Sequence, residues 1–213
     1  SSVPFLSMRP SAILYTWWLG SEAGNAIADV LFGDYNPSAK LAMTFPRSVG
    51  QIPIYYSHFN TGRPATNDAN RNYNSSYNDE SVFPKYEFGY GLSYTSFQYS
   101  NLQMSKKKLK ANEQIEVAVT ITNTGKYDGE EIVQLYLRDK VGSIVRPMKE
   151  LKDFQKINLK AGETRTIKFI INKEKLSFFN QQLQWVAEPG DFELMIGASS
   201  KDIRLKDNFE LIK

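Results

Sequence analysis

The chain holds 213 residues, of which 41% are hydrophobic and 23% charged, the proportions of a globular protein with a sizeable core and not those of a disordered segment. Its 26 basic and 23 acidic residues leave a net charge of +3, too small for the broad positive field that nucleic-acid binding requires. Cysteine is absent and histidine occurs once, which excludes disulfides, thiolate nucleophiles, cysteine-ligated zinc and a His-rich metal site, so neither metal nor cofactor is expected.

Residues 12–15 form a short apolar run that suits a buried strand. Ser21 then stands where it could cap a helix whose apolar positions Ala23, Ala26, Ile27, Val30 and Leu31 recur at helical spacing and predict a stripe facing a core. At least one of Trp17 and Trp18 is expected in that core. Gly33 stands where a helix end calls for positive φ, and Asn36-Pro37 forces extended or turn backbone after it. Residues 40–45 alternate, with Leu41, Met43 and Phe45 on one face of a second strand. One helix and two strands cannot cover both faces of a sheet, so residues 1–56 are expected to be the C-terminal remnant of an α/β sandwich domain.

Periodicity is lost from Ser57 to Lys85, where Asn60, Asn67, Asn70, Asn72, Asn74 and Asn78 are spread among Gly, Pro, Ser and Asp. Residues 57–87 are therefore a polar loop or linker, longer than the roughly 12–15 residues at which a connection without structure becomes functional or interdomain. Arg63, Tyr73 and Tyr77 are its candidate site residues, because burial does not readily explain aromatic side chains in such a stretch.

After Phe97 the period changes to two. Ile115, Val117, Val119 and Ile121 alternate with polar residues up to the turn Asn123-Thr124-Gly125, and the pattern returns at Val133, Leu135 and Leu137. It recurs at Ile167, Phe169 and Ile171 after Ala161-Gly162, and at Phe192, Leu194 and Ile196 after Pro189-Gly190. Residues 88–213 thus predict a mostly β domain of about seven antiparallel strands in two sheets, with Tyr136, Phe154, Phe169, Trp185 and Phe192 available to its core. The basic run Lys106 to Lys108 with Lys110, and the acidic groups Asp128, Glu130, Glu131 and Asp79, Glu80, read as solvated turns; neither acidic group has calcium-loop spacing. Glu22 reads as a carboxylate in the first turn of a helix.

Several of these runs together resemble the C-terminal part of glycoside hydrolase family 3. They are Gly24-Asn25-Ala26-Ile27-Ala28-Asp29-Val30-Leu31-Phe32-Gly33-Asp34, Asn36-Pro37-Ser38 and Phe88-Gly89-Tyr90-Gly91-Leu92-Ser93-Tyr94-Thr95. Val119-Thr120-Ile121-Thr122-Asn123-Thr124-Gly125, Val133-Gln134-Leu135-Tyr136, Arg146-Pro147-Met148-Lys149-Glu150-Leu151 and Trp185-Val186-Ala187-Glu188-Pro189-Gly190 are similar to the family's fibronectin type III-like (immunoglobulin-like) β-sandwich. Ala39 and Ala42 depart from the family's usual Gly and Pro, which puts a left-handed turn at Ala39 under strain.

The resemblance implies a retaining exo-acting β-glycosidase of the periplasmic β-glucosidase or β-xylosidase type, with two carboxyl groups acting as nucleophile and acid/base. In that family both groups lie upstream of the part matched here, so no catalytic residue is assigned and the chain is expected to be inactive alone. The expected partners are the catalytic domains of the same polypeptide, a β-linked glycoside and a homodimer mate, with no nucleic acid and no membrane; the expected location is periplasmic or secreted. A free-standing carbohydrate-binding or adhesion module is the alternative, and it would display a row of exposed aromatics.

Overall fold

The structure, a computed structural model, describes residues 10–65 and 73–213. The C-terminal half is a β-sandwich. One sheet holds β1 (Phe97–Met104), β3 (Gln114–Asn123) and β6 (Thr164–Asn172) in the order β1-β3-β6. The other holds β2 (Lys108–Leu109), β4 (Gly129–Asp139), β5 (Glu150–Leu159), β9 (Gly190–Gly197) and β10 (Ile203–Leu211) in the order β2-β10-β9-β4-β5. Seven long strands plus the two-residue β2 make the two sheets, as the alternation predicts. A short helix α2 (Lys173–Leu176) follows β6, and β7 (Phe178–Phe179) pairs with β8 (Trp185–Val186) in a ribbon apart from both sheets.

The period of two sets the core. Antiparallel pairing puts Ile115 opposite Ile171, Val117 opposite Phe169 and Val119 opposite Ile167, and all of these are buried. They meet Val133, Leu135 and Leu137 of β4 and Phe192, Leu194 and Ile196 of β9 in one cluster. Each such side chain removed from water contributes about 1.5–3 kcal/mol, and a slip of one residue would turn the whole set outward. On the opposite face of β3 the hydroxyl pairs Thr120–Thr166 (3.2 Å) and Thr122–Thr164 (2.9 Å) face outward.

Tyr136, Phe169 and Phe192 are buried, but Phe154 and Trp185 are not core residues: they are 58% and 54% exposed. Phe154 sits opposite Gln134, on the strand phase that β4 turns away from Val133 and Leu135. Trp185 belongs to the separate ribbon, where its ring lies 4.9 Å from that of Phe179. The basic run lies at the surface, as a solvated turn should, with its charges paired. Lys106 pairs with Glu113 at 3.0 Å across the β2–β3 turn, while Lys107 pairs with Asp207 and Lys108 with Glu210 at 3.4 Å because β2 runs along β10 and lies beside its acids.

In the N-terminal part, helix α1 (Ala23–Phe32) forms as the apolar spacing predicts, and Gly33 ends it with φ of 89°. Its N-cap is Glu22, not Ser21, and no side chain caps it. The apolar stripe meets no core: none of the helix is buried, and Phe32 is 85% exposed. Residues 12–15 are not a strand, and neither are residues 40–45, which hold an isolated bridge from Phe45 to Tyr86 and backbone bonds of Leu41 to Tyr90 and Gly89. A strand needs a continuous ladder of backbone partners; the described residues give 12–15 no such neighbour and give 40–45 only these scattered bonds to residues 85–90. Both tryptophans are solvent-exposed for the same reason, Trp18 to 99%. Ala39 avoids positive φ, so the expected strain is absent.

Candidate functional site

The loop predicted to carry function is fastened to the sandwich at both ends. At its start Phe59 bridges Pro147 and the His58 carbonyl accepts from the Met148 amide at 2.9 Å. Just before it, the Tyr56 ring stacks on Phe88 at 4.3 Å and its hydroxyl accepts from the Leu151 amide at 3.1 Å. At the far end the buried Gln51 donates to the carbonyls of Ser81 (2.6 Å) and Phe83 (3.3 Å), while Lys201 lies over the Phe83 ring. Glu80 accepts from the Ser81 amide at 2.8 Å, so its turn closes on itself.

Between these anchors the loop doubles back. Pro64 bridges Ser75, and the Ser75 amide donates to the Arg63 carbonyl at 2.8 Å. This brings the neighbourhoods of Arg63 and Tyr73 together while leaving their side chains in solvent; Tyr73 has φ of 62° and is 87% exposed, and Tyr77 is also exposed. Asn67, Asn70 and Asn72 lie outside the described residues. The three candidate side chains are therefore exposed, with Arg63 and Tyr73 carried on neighbouring stretches of backbone.

The acidic run at the start of β4, read from sequence as a solvated turn, is instead where the N-terminal part meets the sandwich. Asn36 donates to the Asp128 carbonyl at 2.9 Å and accepts from the Ser93 hydroxyl at 3.0 Å and the Tyr94 amide at 2.8 Å. Glu130 accepts from the Tyr35 hydroxyl (2.9 Å) and the Ser38 hydroxyl (3.0 Å) and pairs with Lys156 at 2.7 Å. The Lys156 hydrogen bond is the main reason its carboxyl lies below the ordinary range. Glu131, 3% exposed, accepts from the Tyr99 hydroxyl at 2.8 Å and pairs with Lys40 at 3.3 Å. Burial, reinforced by Glu131, pushes the Tyr99 phenol well above its usual value. Extending the alternation of Val133 and Leu135 back two residues would have put Glu131 on the core face. That signal was present in the sequence.

A cleft of about 310 Å³ opens beside this contact and is lined in part by Lys40, Glu87, Glu131, Ser199, Asp202 and Arg204. Its carboxylates are engaged: Glu87 accepts from Ser199 at 2.9 Å, Asp202 pairs with Arg204 at 2.9 Å, and Glu131 is held as above. Elsewhere, Asp139 has the raised pKa that a general acid needs, with burial as the main cause. Its Oδ2 is closed off 3.7 Å from Arg146 Nε, without a hydrogen bond. Neighbouring Glu150 is taken by Arg146 and Lys152, and Glu188 by Ser143. Glu22 accepts from Asn25 at 2.6 Å on an exposed surface. Among the described residues, no three His, Cys, Asp or Glu are grouped to hold a metal ion and no helix is long and apolar enough to cross a membrane.

Comparison with known proteins matches two family models: the glycosyl hydrolase family 3 C-terminal domain over residues 2–94 and the fibronectin type III-like domain over residues 131–200. The periplasmic beta-glucosidase of Salmonella typhimurium is 52% identical over 96% of this chain and 26% of its own length. A beta-xylosidase of Formosa agariphila is 42% identical over 96% of this chain and 27% of its own. The crystal structure of a beta-glucosidase from Listeria innocua in complex with glucose superposes with a TM-score of 0.87 at 45% identity, covering 92% of this chain and 27% of that one. The chain thus spans about a quarter of the length of the curated relatives it matches.

Proposed function

The chain belongs to glycoside hydrolase family 3, and from that premise we propose that it is the non-catalytic C-terminal portion of a retaining, exo-acting β-glycosidase, with β-glucosides as the favoured substrates. The nucleophile and acid/base are assigned to other domains of the same polypeptide, which the sandwich supports by docking against them. Residues 1–56 are read as the end of the α/β domain, 57–87 as the connecting loop and 88–213 as the sandwich. A periplasmic or secreted location fits the name of the Salmonella relative.

One observation carries the reading: α1 is fully formed, yet none of its residues is buried and its apolar stripe is bare. An amphipathic helix draws most of its stability from the face it covers, so this one calls for the remainder of an α/β layer. The purified chain should not hydrolyse an aryl β-glucoside; turnover that persists through purification would overturn the assignment. Against a free-standing binding module stands the distribution of the exposed aromatics, since Phe154 is on β5 and Phe179 and Trp185 are on the separate β7–β8 ribbon.

The 57–87 loop is assigned a role at the sugar site or at a neighbouring subunit, through Arg63, Tyr73 and Tyr77. Support comes from its fastening at both ends and from the exposure of all three side chains. In the full-length enzyme, Arg63→Ala with Tyr77→Ala should lower kcat/KM or shift the oligomeric state. No change in either would remove the loop from the functional account.

A further inference from the structure

We infer that Lys40 and Glu131 form a charge latch, a buried ion pair that holds the N-terminal segment against the sandwich and makes its release costly. The inference rests on local geometry alone and does not depend on what reaction the polypeptide performs. Glu131 lies on the core-facing phase of β4, two residues before Val133, with Tyr99 of the facing sheet donating to it at 2.8 Å. Its ion-pair partner is Lys40, at 3.3 Å and 91 positions earlier in the chain, whose ammonium also reaches the Gly91 carbonyl at 3.4 Å; the Arg204 guanidinium, 4.7 Å over the Tyr99 ring, acts on Glu131 only from farther off, on the sandwich side. Both side chains are almost entirely withdrawn from water, at 11% and 4% exposure.

The other ties between the segment and the sandwich differ in kind. Tyr35 and Asn36 make hydrogen bonds at exposed positions, where water can take over when the contact opens, and Ser38, though buried, gives Glu130 only a neutral hydroxyl. Water does not replace Lys40 so readily. If residues 35–41 lift away while Tyr99 keeps its place, Glu131 retains the Tyr99 hydroxyl and the more distant Arg204 but loses its ion-pair partner, and a buried charge stripped of its partner is among the most costly defects in a fold. The segment carrying Lys40 is therefore held by a penalty on leaving as much as by attraction on arrival. Its docking is reported by two amides, Leu41 donating to the Tyr90 carbonyl at 2.8 Å and Gly89 donating to the Leu41 carbonyl at 2.7 Å.

Hydrogen exchange on the whole chain tests this. Glu131→Gln keeps an acceptor for Tyr99 and removes the charge. It should speed exchange at Leu41 and Gly89 at least tenfold, with amides at the centre of the β3–β6 ladder changing less than threefold. Lys40→Met should also speed exchange at the two reporters, and by more than at the ladder. Combining the two substitutions should raise reporter exchange by clearly less than the product of the single effects, because the pair is removed once. Unchanged reporter exchange in Glu131→Gln, equal acceleration of reporters and ladder, or effects that multiply in the double variant would each overturn the latch.

Discussion

Replacing Asn123 by Ala tests how the sandwich is closed at the end where β3 turns toward β4. The sequence presents this residue as the first of a turn, but its side chain is fully buried and makes four hydrogen bonds. Its amide donates to the carbonyls of Tyr127 (2.8 Å) and Leu159 (3.1 Å), and its oxygen accepts from the Thr95 hydroxyl (2.6 Å) and the Gly125 amide (3.1 Å). The bond to Leu159 is buried, and losing a partner there costs about 1–3 kcal/mol. The three part-buried bonds add roughly 0.5–1.5 kcal/mol each, so Asn123→Ala should destabilise by about 4 kcal/mol. With a urea m-value of about 2 kcal/mol/M, the unfolding midpoint should fall by about 2 M, measured by tryptophan fluorescence and far-UV circular dichroism together. Asn123→Asp adds a sign. Its carboxylate would face two carbonyl oxygens, which raises its folded-state pKa above the unfolded value, so this variant should gain stability relative to Asn123→Ala as pH falls. A midpoint shift under about 0.5 M for Asn123→Ala would refute the view that this side chain organises the turn.

Three further outcomes follow from the same structure. Gly89 has φ of 79°, and a Cβ there would stand 2.2 Å from the Oε1 of Gln134, so Gly89→Ala should cost about 3 kcal/mol in a denaturant melt by combining left-handed strain with disruption of a buried amide. Because burial raises the Asp139 pKa above its unfolded value, its contribution to stability is largest below about pH 4 and declines as pH rises through the folded-state value. Asp139→Asn should therefore gain stability relative to wild type between pH 4 and pH 7, and melts showing the opposite slope would contradict the assignment. Leu31→Ser, at an exposed position of α1, should change the stability of this chain by less than about 0.5 kcal/mol, whereas the same change in the full-length enzyme should cost about 2 kcal/mol or more if the helix stripe is covered there.

Much of the sandwich was legible because its rule is local. A period of two, broken by Gly-, Asn- and Pro-containing turns, assigns Val117, Val119, Leu135, Phe169 and Ile196 to the core without knowledge of the neighbouring strand. The helix and its Gly33 ending were legible for the same reason, since spacing and φ preference are properties of a few consecutive residues. The rule failed where its phase depends on a partner. Phe154 looks like core until pairing with Gln134 puts it on the outer face, and Trp185 until β7 and β8 separate from the main sheets.

The N-terminal strands failed for a related reason. Residues 12–15 and 40–45 have suitable side chains, but a strand exists through bonds to another segment, and no property of the run itself supplies one. Charges were the least legible. Extending the β4 alternation puts Glu131 on the core face, but nothing in that run names Lys40 or Tyr99, and Lys106 to Lys108 look like any basic loop, because a charge's role is set by what lies within a few ångströms in space.

The amino-acid sequence by itself determined the two-sheet core, the helix with its Gly33 end and the family likeness, all of which follow from order along the chain. Only the tertiary structure decided that Glu131 is buried against Lys40, that Asn123 bonds to four groups at once, and that the α1 stripe stands bare. Each of these depends on distances between residues far apart in sequence, where burial turns an ordinary polar group into one that must be paired.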